Sequence, residues 1–220
     1  GEKVILGFVQ TATENEPVSA TFLRELVERG LRTEAGLLVV LDGAKGLRKA
    51  IQTVFGAQAL VQRCQWHKRE NVLRYLPKGQ QATWRQKLQA AYERPTYAEA
   101  TAALLRLRRE LTLVNESAVR SLDEGLEETL TLHRLGLFGP LGISLKTTNC
   151  LESLNAQLGA YTAKVDRWRS SDQKQRWVAS ALLTIEPCLR RIKGYRHLLL
   201  LRAALQREIA SSTQRRESVA

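Results

Sequence analysis

The stretch LLVVLDG, residues 37–43, sets five apolar residues before an acidic residue and a glycine. An apolar run of this length is typical of a β-strand that is buried on both faces, as in a parallel sheet. In open α/β sheets, sites form beyond the carboxyl ends of the strands, and a carboxylate there can hold a hard cation. Asp42 could equally start a turn or cap the next helix. The stretch alone leaves both roles open.

Further predicted strands and helices flank this strand. Residues 3–10 are short and β-branched, which predicts a strand, and residues 59–63 predict another. Helices are expected over residues 16–30 and 47–54, from apolar stripes at helical spacing. The alternation of strands and helices predicts an α/β fold with a sheet that is at least partly parallel.

The remainder of the chain predicts helices. Leucines and alanines recur at helical spacing through residues 67–135, and the glycine-rich residues 136–142 predict a turn-rich connection. Further helices are expected at about 149–159, 172–186 and 195–210. We therefore divide the chain into an α/β part (1–66), an all-helical insertion (67–146) and C-terminal helices (147–220).

The composition narrows the class of protein. The chain is 44% hydrophobic and contains no run of about 18 apolar residues, so no membrane span is expected. Its three cysteines, Cys64, Cys150 and Cys188, are odd in number and widely spaced. A disulfide framework is therefore not expected. A reducing, cytoplasmic compartment is expected instead.

The net charge of +12 is concentrated toward the C-terminus, where a basic segment also carries aromatic rings. Arginines meet phosphates and rings stack on bases in nucleic-acid complexes. The alternatives are a solvated basic helix face and, for Trp177, a core anchor. The candidate DNA contacts are Arg167, Trp168, Arg169, Lys174 and Arg176.

Two more motifs carry residues that can bind metals. Glu152, in TTNCLESLN (147–155), could bind a cation or could close a capping box with Asn149. Cys64 and His67, in CQWH, have the spacing of half a zinc site, but no second pair follows at short spacing. Structural zinc is therefore not expected. His67 could orient a substrate or a carboxylate, or could simply pack.

Taken in order, three motifs resemble the catalytic domain of bacterial insertion-sequence transposases related to the plant Mutator elements. These motifs are LDGAKGL (41–47), QRCQWHKREN (62–71) and TTNCLESLN (147–155). The resemblance covers nearly the whole chain. It implies a ribonuclease H-like core, incomplete because its first strands are missing, with a helical insertion before the helix that carries Glu152.

The resemblance also implies a reaction, in which DNA strands are cut and joined at transposon ends by two-metal phosphoryl transfer. The family holds two Mg²⁺ or Mn²⁺ ions with three carboxylates, Asp, Asp and Glu. Asp42 matches the second Asp and Glu152 matches the Glu, so both are expected as catalytic metal ligands. Cys64 and His67 match a Cys-x-x-His signature beside the active site, with Asn149 and Asn155 as further neighbours.

The first Asp of the family is expected upstream of residue 1, so the chain reads as a C-terminal fragment. We therefore expect weak metal binding and little strand cleavage, and the alternative is a non-catalytic DNA-binding or assembly remnant of a transposase. The implied partners are DNA, both transposon ends and target, and other copies of the intact protein in a homo-oligomer. The implied location is the bacterial cytoplasm, with nucleoid association, and no membrane partner is expected.

Overall fold

The computed structural model describes residues 1–11, 13, 15–163, 165 and 167–217, the last six by their backbone alone. The chain is mostly helical, at 68%. The strands are β1 (Leu37–Leu41) and β2 (Ala59–Arg63). The α-helices are α1 (Glu16–Glu28), α2 (Lys45–Phe55), α3 (Gln65–Leu73), α4 (Lys78–Tyr92), α5 (Tyr97–Thr112), α6 (Glu116–Asp123), α7 (Leu126–Thr129), α8 (Thr131–Arg134), α9 (Phe138–Leu145), α10 (Asn149–Thr162), α11 (Ser171–Ile185) and α12 (Leu198–Glu217).

The two strands form a parallel pair, in which Leu37 lies opposite Ala59 and Leu41 lies opposite Arg63. Helix α2 connects them, as a parallel connection requires. The ladder continues one bond further, since the Cys64 amide donates to the Leu41 carbonyl at 2.7 Å. This parallel pair agrees with the α/β prediction. It also brings Asp42 and Cys64, which follow β1 and β2, to the same edge of the sheet.

Hydrophobic clusters cover both faces of the pair. On one face, Leu41 packs with Ile51 and Phe55 of α2. On the other face, helices α8, α9 and α12 contribute Leu132, Leu141 and Leu205 among others. Helices α3 to α7 have a separate hydrophobic cluster of their own.

Residues 3–10 do not form the predicted strand. Among the described residues, no strand lies beside this segment to complete a hydrogen-bond ladder. Side chains bind its backbone instead: the Ile5 amide donates to Glu186 Oε2 at 2.8 Å, and Arg29 donates to the Leu6 carbonyl at 2.8 Å. A β-branched sequence becomes a strand only where a neighbouring strand pairs with it.

One further prediction about local structure was wrong. The glycine-rich residues 136–142 are not a connection throughout, because α9 begins at Phe138. Pro140 is compatible with this helix because it lies in the first turn, where the amides have no partner within the helix. Strand β1 has hydrophobic clusters on both faces, as predicted, although Leu41 is its only fully buried residue and the other four are half-buried.

Buried polar side chains join β2 to the helical segment that follows. Gln62 is fully buried; its Nε2 donates to the Thr129 carbonyl at 2.8 Å, and its Oε1 accepts from the Leu132 amide at 2.9 Å. Lys68 is also fully buried and donates from Nζ to the Ser121 carbonyl at 2.6 Å. Burial, with a further contribution from nearby Arg63, lowers the pKa of Lys68 from 10.5 to about 8.

Candidate functional site

Asp42 follows directly after β1, and its side chain is exposed. Its Oδ1 accepts a hydrogen bond from the Ala44 amide at 3.0 Å, so it does stabilise the turn that leads into α2. Gly43 has a φ of +110°, and a Cβ at this position would lie 2.5 Å from Nε of Arg63. Only glycine therefore fits between Asp42 and Ala44, and the turn leaves the Asp42 carboxylate accessible to solvent.

Cys64 and His67 lie at the same edge of the sheet, after β2. Cys64 is fully buried, and its Sγ accepts a hydrogen bond from the Thr148 amide at 3.5 Å. His67 is half-buried, with Nδ1 at 3.2 Å from Cys64 Sγ and at 3.2 Å from the Thr148 hydroxyl. The pair therefore contacts the residue that precedes α10.

Glu152 lies in the first turn of α10 and points back toward this group. The Thr148 hydroxyl donates to Glu152 Oε1 at 3.0 Å, and His67 Nδ1 lies 3.7 Å from the same oxygen. A path of hydrogen bonds links Leu41, the residue before Asp42, to Glu152. It runs from the Leu41 carbonyl to Cys64, from Cys64 to Thr148, and from Thr148 to Glu152. The fold thus brings Asp42 and Glu152, which are far apart in sequence, to one edge of the sheet.

The predicted capping box of Asn149 and Glu152 is not formed. Thr148 occupies the N-cap position, no side chain caps the helix, and Asn149 is its first residue. Thr148 has φ −85° and ψ 14°, outside the extended region in which a capping hydroxyl reaches the helix amides. Its hydroxyl contacts the Glu152 carboxylate instead. Asn149 and Asn155 are both exposed.

The leucines of α10 are not buried against the sheet. No residue of α10 is buried, and Leu151 is 51% exposed. This helix packs mainly against α11.

Carboxylates such as those of Asp42 and Glu152 are of the type that binds Mg²⁺. Mg²⁺ is commonly bound by one or two carboxylates, with waters and substrate phosphates in the other positions. Among the described residues, no group of three or more His, Cys, Asp or Glu side chains is arranged to hold a metal ion. Asp42 and Glu152 would supply two carboxylate ligands, with His67 beside Glu152.

The basic segment leads into α11. Ser170 caps the start of this helix, since its hydroxyl accepts from the Gln173 amide at 3.1 Å. The rings of Trp168 and Trp177 meet edge to face, with centroids 6.4 Å apart. Trp177 is 46% exposed, so its interpretation as a core anchor was wrong.

The cations of this segment are accessible to a ligand. Arg167, Arg169, Lys174 and Arg176 are all exposed, and Arg176 is paired with Asp172 at 2.8 Å. The segment thus carries exposed cations next in sequence to both members of an aromatic pair, a composition suited to contact with nucleic acid.

Sequence reasoning missed Thr148, whose contacts connect Glu152 to Cys64 and His67. One signal was available: Thr148 lies four residues before Glu152, so both side chains fall on one face of a helix. Its link to Cys64 joins residues 84 positions apart and has no local sequence signal. Within the described ranges, no helix is long and apolar enough to cross a membrane.

A family model and individual relatives both assign the chain to the same family of proteins. A family model described as "Transposase, Mutator family" matches residues 1–182. The transposase for insertion sequence element IS256 in transposon Tn4001 of Staphylococcus aureus is 32% identical over 161 residues, which is 72% of this chain and 40% of the relative. The transposase for insertion sequence element ISRM5 of Rhizobium meliloti (strain 1021) is 29% identical over 194 residues, which is 88% of this chain and 44% of the relative. The chain therefore spans less than half the length of these relatives.

Proposed function

Because the chain belongs to the Mutator family of transposases, we propose that it forms part of the catalytic domain of a bacterial insertion-sequence DNA transposase. Such an enzyme cuts and joins DNA strands at transposon ends. The names of the relatives support this assignment, since each is the transposase of an insertion sequence.

We propose a ribonuclease H-like core as the fold of the α/β part. The parallel pair β1–β2 with its α2 connection supports this. So does the return of α10 to the carboxyl ends of these strands, after the helices of residues 67–146.

We propose that Asp42 and Glu152 bind the divalent ions, Mg²⁺ or Mn²⁺, that the reaction requires. The observation that carries this proposal is the contact path from Leu41 through Cys64 and Thr148 to Glu152, which holds the glutamate beside the strand end that bears Asp42. When bound, such ions activate the attacking hydroxyl and stabilise the leaving oxygen of the phosphodiester. Asp42 and Glu152 supply carboxylate oxygens, and the exposed Asn149 and Asn155 border the same helix face as candidate substrate contacts.

We propose that DNA lies along the basic segment. The exposed Arg167, Arg169, Lys174 and Arg176 would neutralise phosphates, and the Trp168–Trp177 pair would contact bases or sugars. Assembly into a homo-oligomer on the transposon ends, and a location with the bacterial nucleoid, belong to the same proposal.

Nicking of a supercoiled plasmid in the presence of Mn²⁺ tests the metal site. The expected result is a weak metal-dependent nicking activity that Asp42→Asn and Glu152→Gln both abolish. Glu110→Gln is a matched control, because Glu110 pairs with Lys87 on the surface, away from β1 and α10. Equal nicking by the wild-type chain and the Glu152→Gln variant would refute the metal-ligand role.

A non-catalytic DNA-binding role is the second candidate. The observation that favours it is that no group of three or more His, Cys, Asp or Glu side chains among the described residues is arranged to hold a metal ion. Under this alternative, no metal-dependent nicking is measured, and Glu152→Gln leaves DNA affinity unchanged in a fluorescence anisotropy titration. Loss of DNA affinity in Glu152→Gln would count against it.

A further inference from the structure

Helix α10 carries Glu152, yet hydrophobic packing does little to hold it. None of its residues is buried, and its main packing partner is α11. The position of the Glu152 carboxylate must therefore be set at the start of the helix rather than along its length.

The residue at that start, Thr148, is firmly held. It is 5% exposed, and its amide donates to the buried Sγ of Cys64. Cys64 is itself fixed by the bond from its amide to the Leu41 carbonyl, and the neighbouring Gln65 amide donates to the Lys146 carbonyl at 3.0 Å. The segment at the start of α10 is thus attached to the edge of the sheet by two bonds between residues that are distant in sequence, from Thr148 to Cys64 and from Gln65 to Lys146.

The side chains at this point form a directed hydrogen-bond chain. An ionised carboxylate only accepts, so the single proton of the Thr148 hydroxyl is donated to Glu152 Oε1. In the tautomer of His67 that carries the ring proton on Nδ1, this nitrogen, 3.2 Å away, donates to the hydroxyl oxygen. The donors run from His67 through Thr148 to Glu152 and leave the other carboxylate oxygen, Oε2, outside this chain.

We propose that Thr148 is a positioning residue for the Glu152 carboxylate, and that Cys64 and His67 serve to hold Thr148 rather than to bind a metal. This inference rests on the proposed function, since it takes Glu152 as the metal ligand. Residues that hydrogen-bond to a metal ligand fix its orientation, and removing them typically lowers metal affinity by roughly 10- to 100-fold. The Cys-x-x-His pair thereby receives a role that its zinc-like spacing did not suggest.

Mn²⁺ binding to the chain, measured from the free-ion signal in electron paramagnetic resonance, tests this inference without any catalytic assay. Thr148→Val keeps the shape of the side chain and removes the hydroxyl, so Mn²⁺ affinity is expected to fall roughly tenfold. Thr148→Ser restores the hydroxyl and is expected to retain the wild-type affinity. Thr162→Val is the matched control, because Thr162 lies on α10 and its hydroxyl bonds only within the helix, to the Leu158 and Gly159 carbonyls.

A second pair of variants covers the case in which Thr148→Val does not fold. His67→Asn keeps a donor near the position of Nδ1 and is expected to bind Mn²⁺ like the wild-type chain, whereas His67→Leu removes the donor and is expected to bind severalfold more weakly. Thermal melting of each variant separates lost binding from lost folding.

The outcomes distinguish this inference from the proposed function. Glu152→Gln is titrated in parallel. If Glu152→Gln weakens Mn²⁺ binding while Thr148→Val and His67→Leu bind like the wild-type chain, the positioning role is refuted and the metal site stands. If Glu152→Gln binds as tightly as the wild-type chain, the proposed metal ligand itself is wrong.

Discussion

Replacing Gln62 by methionine tests how the sheet edge is attached to the helices of residues 67–146. Gln62 is fully buried at the end of β2, two residues before Cys64. Methionine has a similar length and shape but neither donates nor accepts a strong hydrogen bond. The change therefore removes the bonds to Arg63, Thr129 and Leu132 and leaves the packing nearly intact.

The expected loss of stability follows from the backbone groups that lose Gln62 as a hydrogen-bond partner. The Thr129 carbonyl keeps a second donor, Gln65 Nε2 at 2.9 Å, so it is not orphaned. The Arg63 carbonyl loses one donor, Gln62 Nε2 at 2.9 Å. The Leu132 amide loses the acceptor Gln62 Oε1 in a fully buried environment. One orphaned buried amide costs about 1–3 kcal/mol, so the free energy of unfolding should fall by about 2 kcal/mol. For a chain of this size, this corresponds to a melting temperature lowered by about 4–8 °C.

Thermal and urea unfolding, followed by circular dichroism, measure this loss. Gln86→Met is the matched control, since Gln86 is exposed on α4 and its replacement should change the stability by less than about 0.5 kcal/mol. A Gln62→Met variant as stable as the Gln86→Met variant would show that these buried bonds do not attach the helical segment to β2.

Three other predictions concern charge. Burial lowers the pKa of Lys68 to about 8, so between about pH 8 and 10.5 the unfolded chain holds a proton on this side chain that the folded chain has released. The free energy of unfolding, relative to that of Lys68→Met, should therefore rise with pH across this window, by at most about 3 kcal/mol in urea titrations. Burial also lowers the pKa of His133, so stability relative to His133→Gln should fall as the pH drops below the ordinary value of 6.5, as thermal melts at several pH values would measure. Arg169→Ala should reduce the slope of log affinity against log salt by about one in DNA titrations, whereas Arg106→Ala, an exposed change on α5, should leave the slope unchanged.

Local sequence signals were sufficient for the elements nearest the site. The apolar runs of residues 37–41 and 59–63 coincide with β1 and β2, and the helix expected over 47–54 lies within α2. These predictions succeeded because apolar periodicity and tertiary burial favour the same structure there. The strand predicted at residues 3–10 failed because pairing depends on a neighbouring strand, which the sequence of the segment cannot specify.

The contacts of Glu152 could not be predicted from the local sequence. From the sequence, Asn149 was the natural cap and Glu152 its reciprocal partner. Whether that cap forms depends on the backbone of Thr148, and this residue is held by Cys64, which lies 84 positions earlier. With its amide bound to Cys64 Sγ, Thr148 adopts dihedral angles that exclude capping, and its hydroxyl is left to contact Glu152. The contact with the distant Cys64 thus determines whether Glu152 stabilises the start of the helix or faces the sheet edge that bears Asp42. The role of Glu152 as a metal ligand remains a prediction, and it depends on this long-range contact.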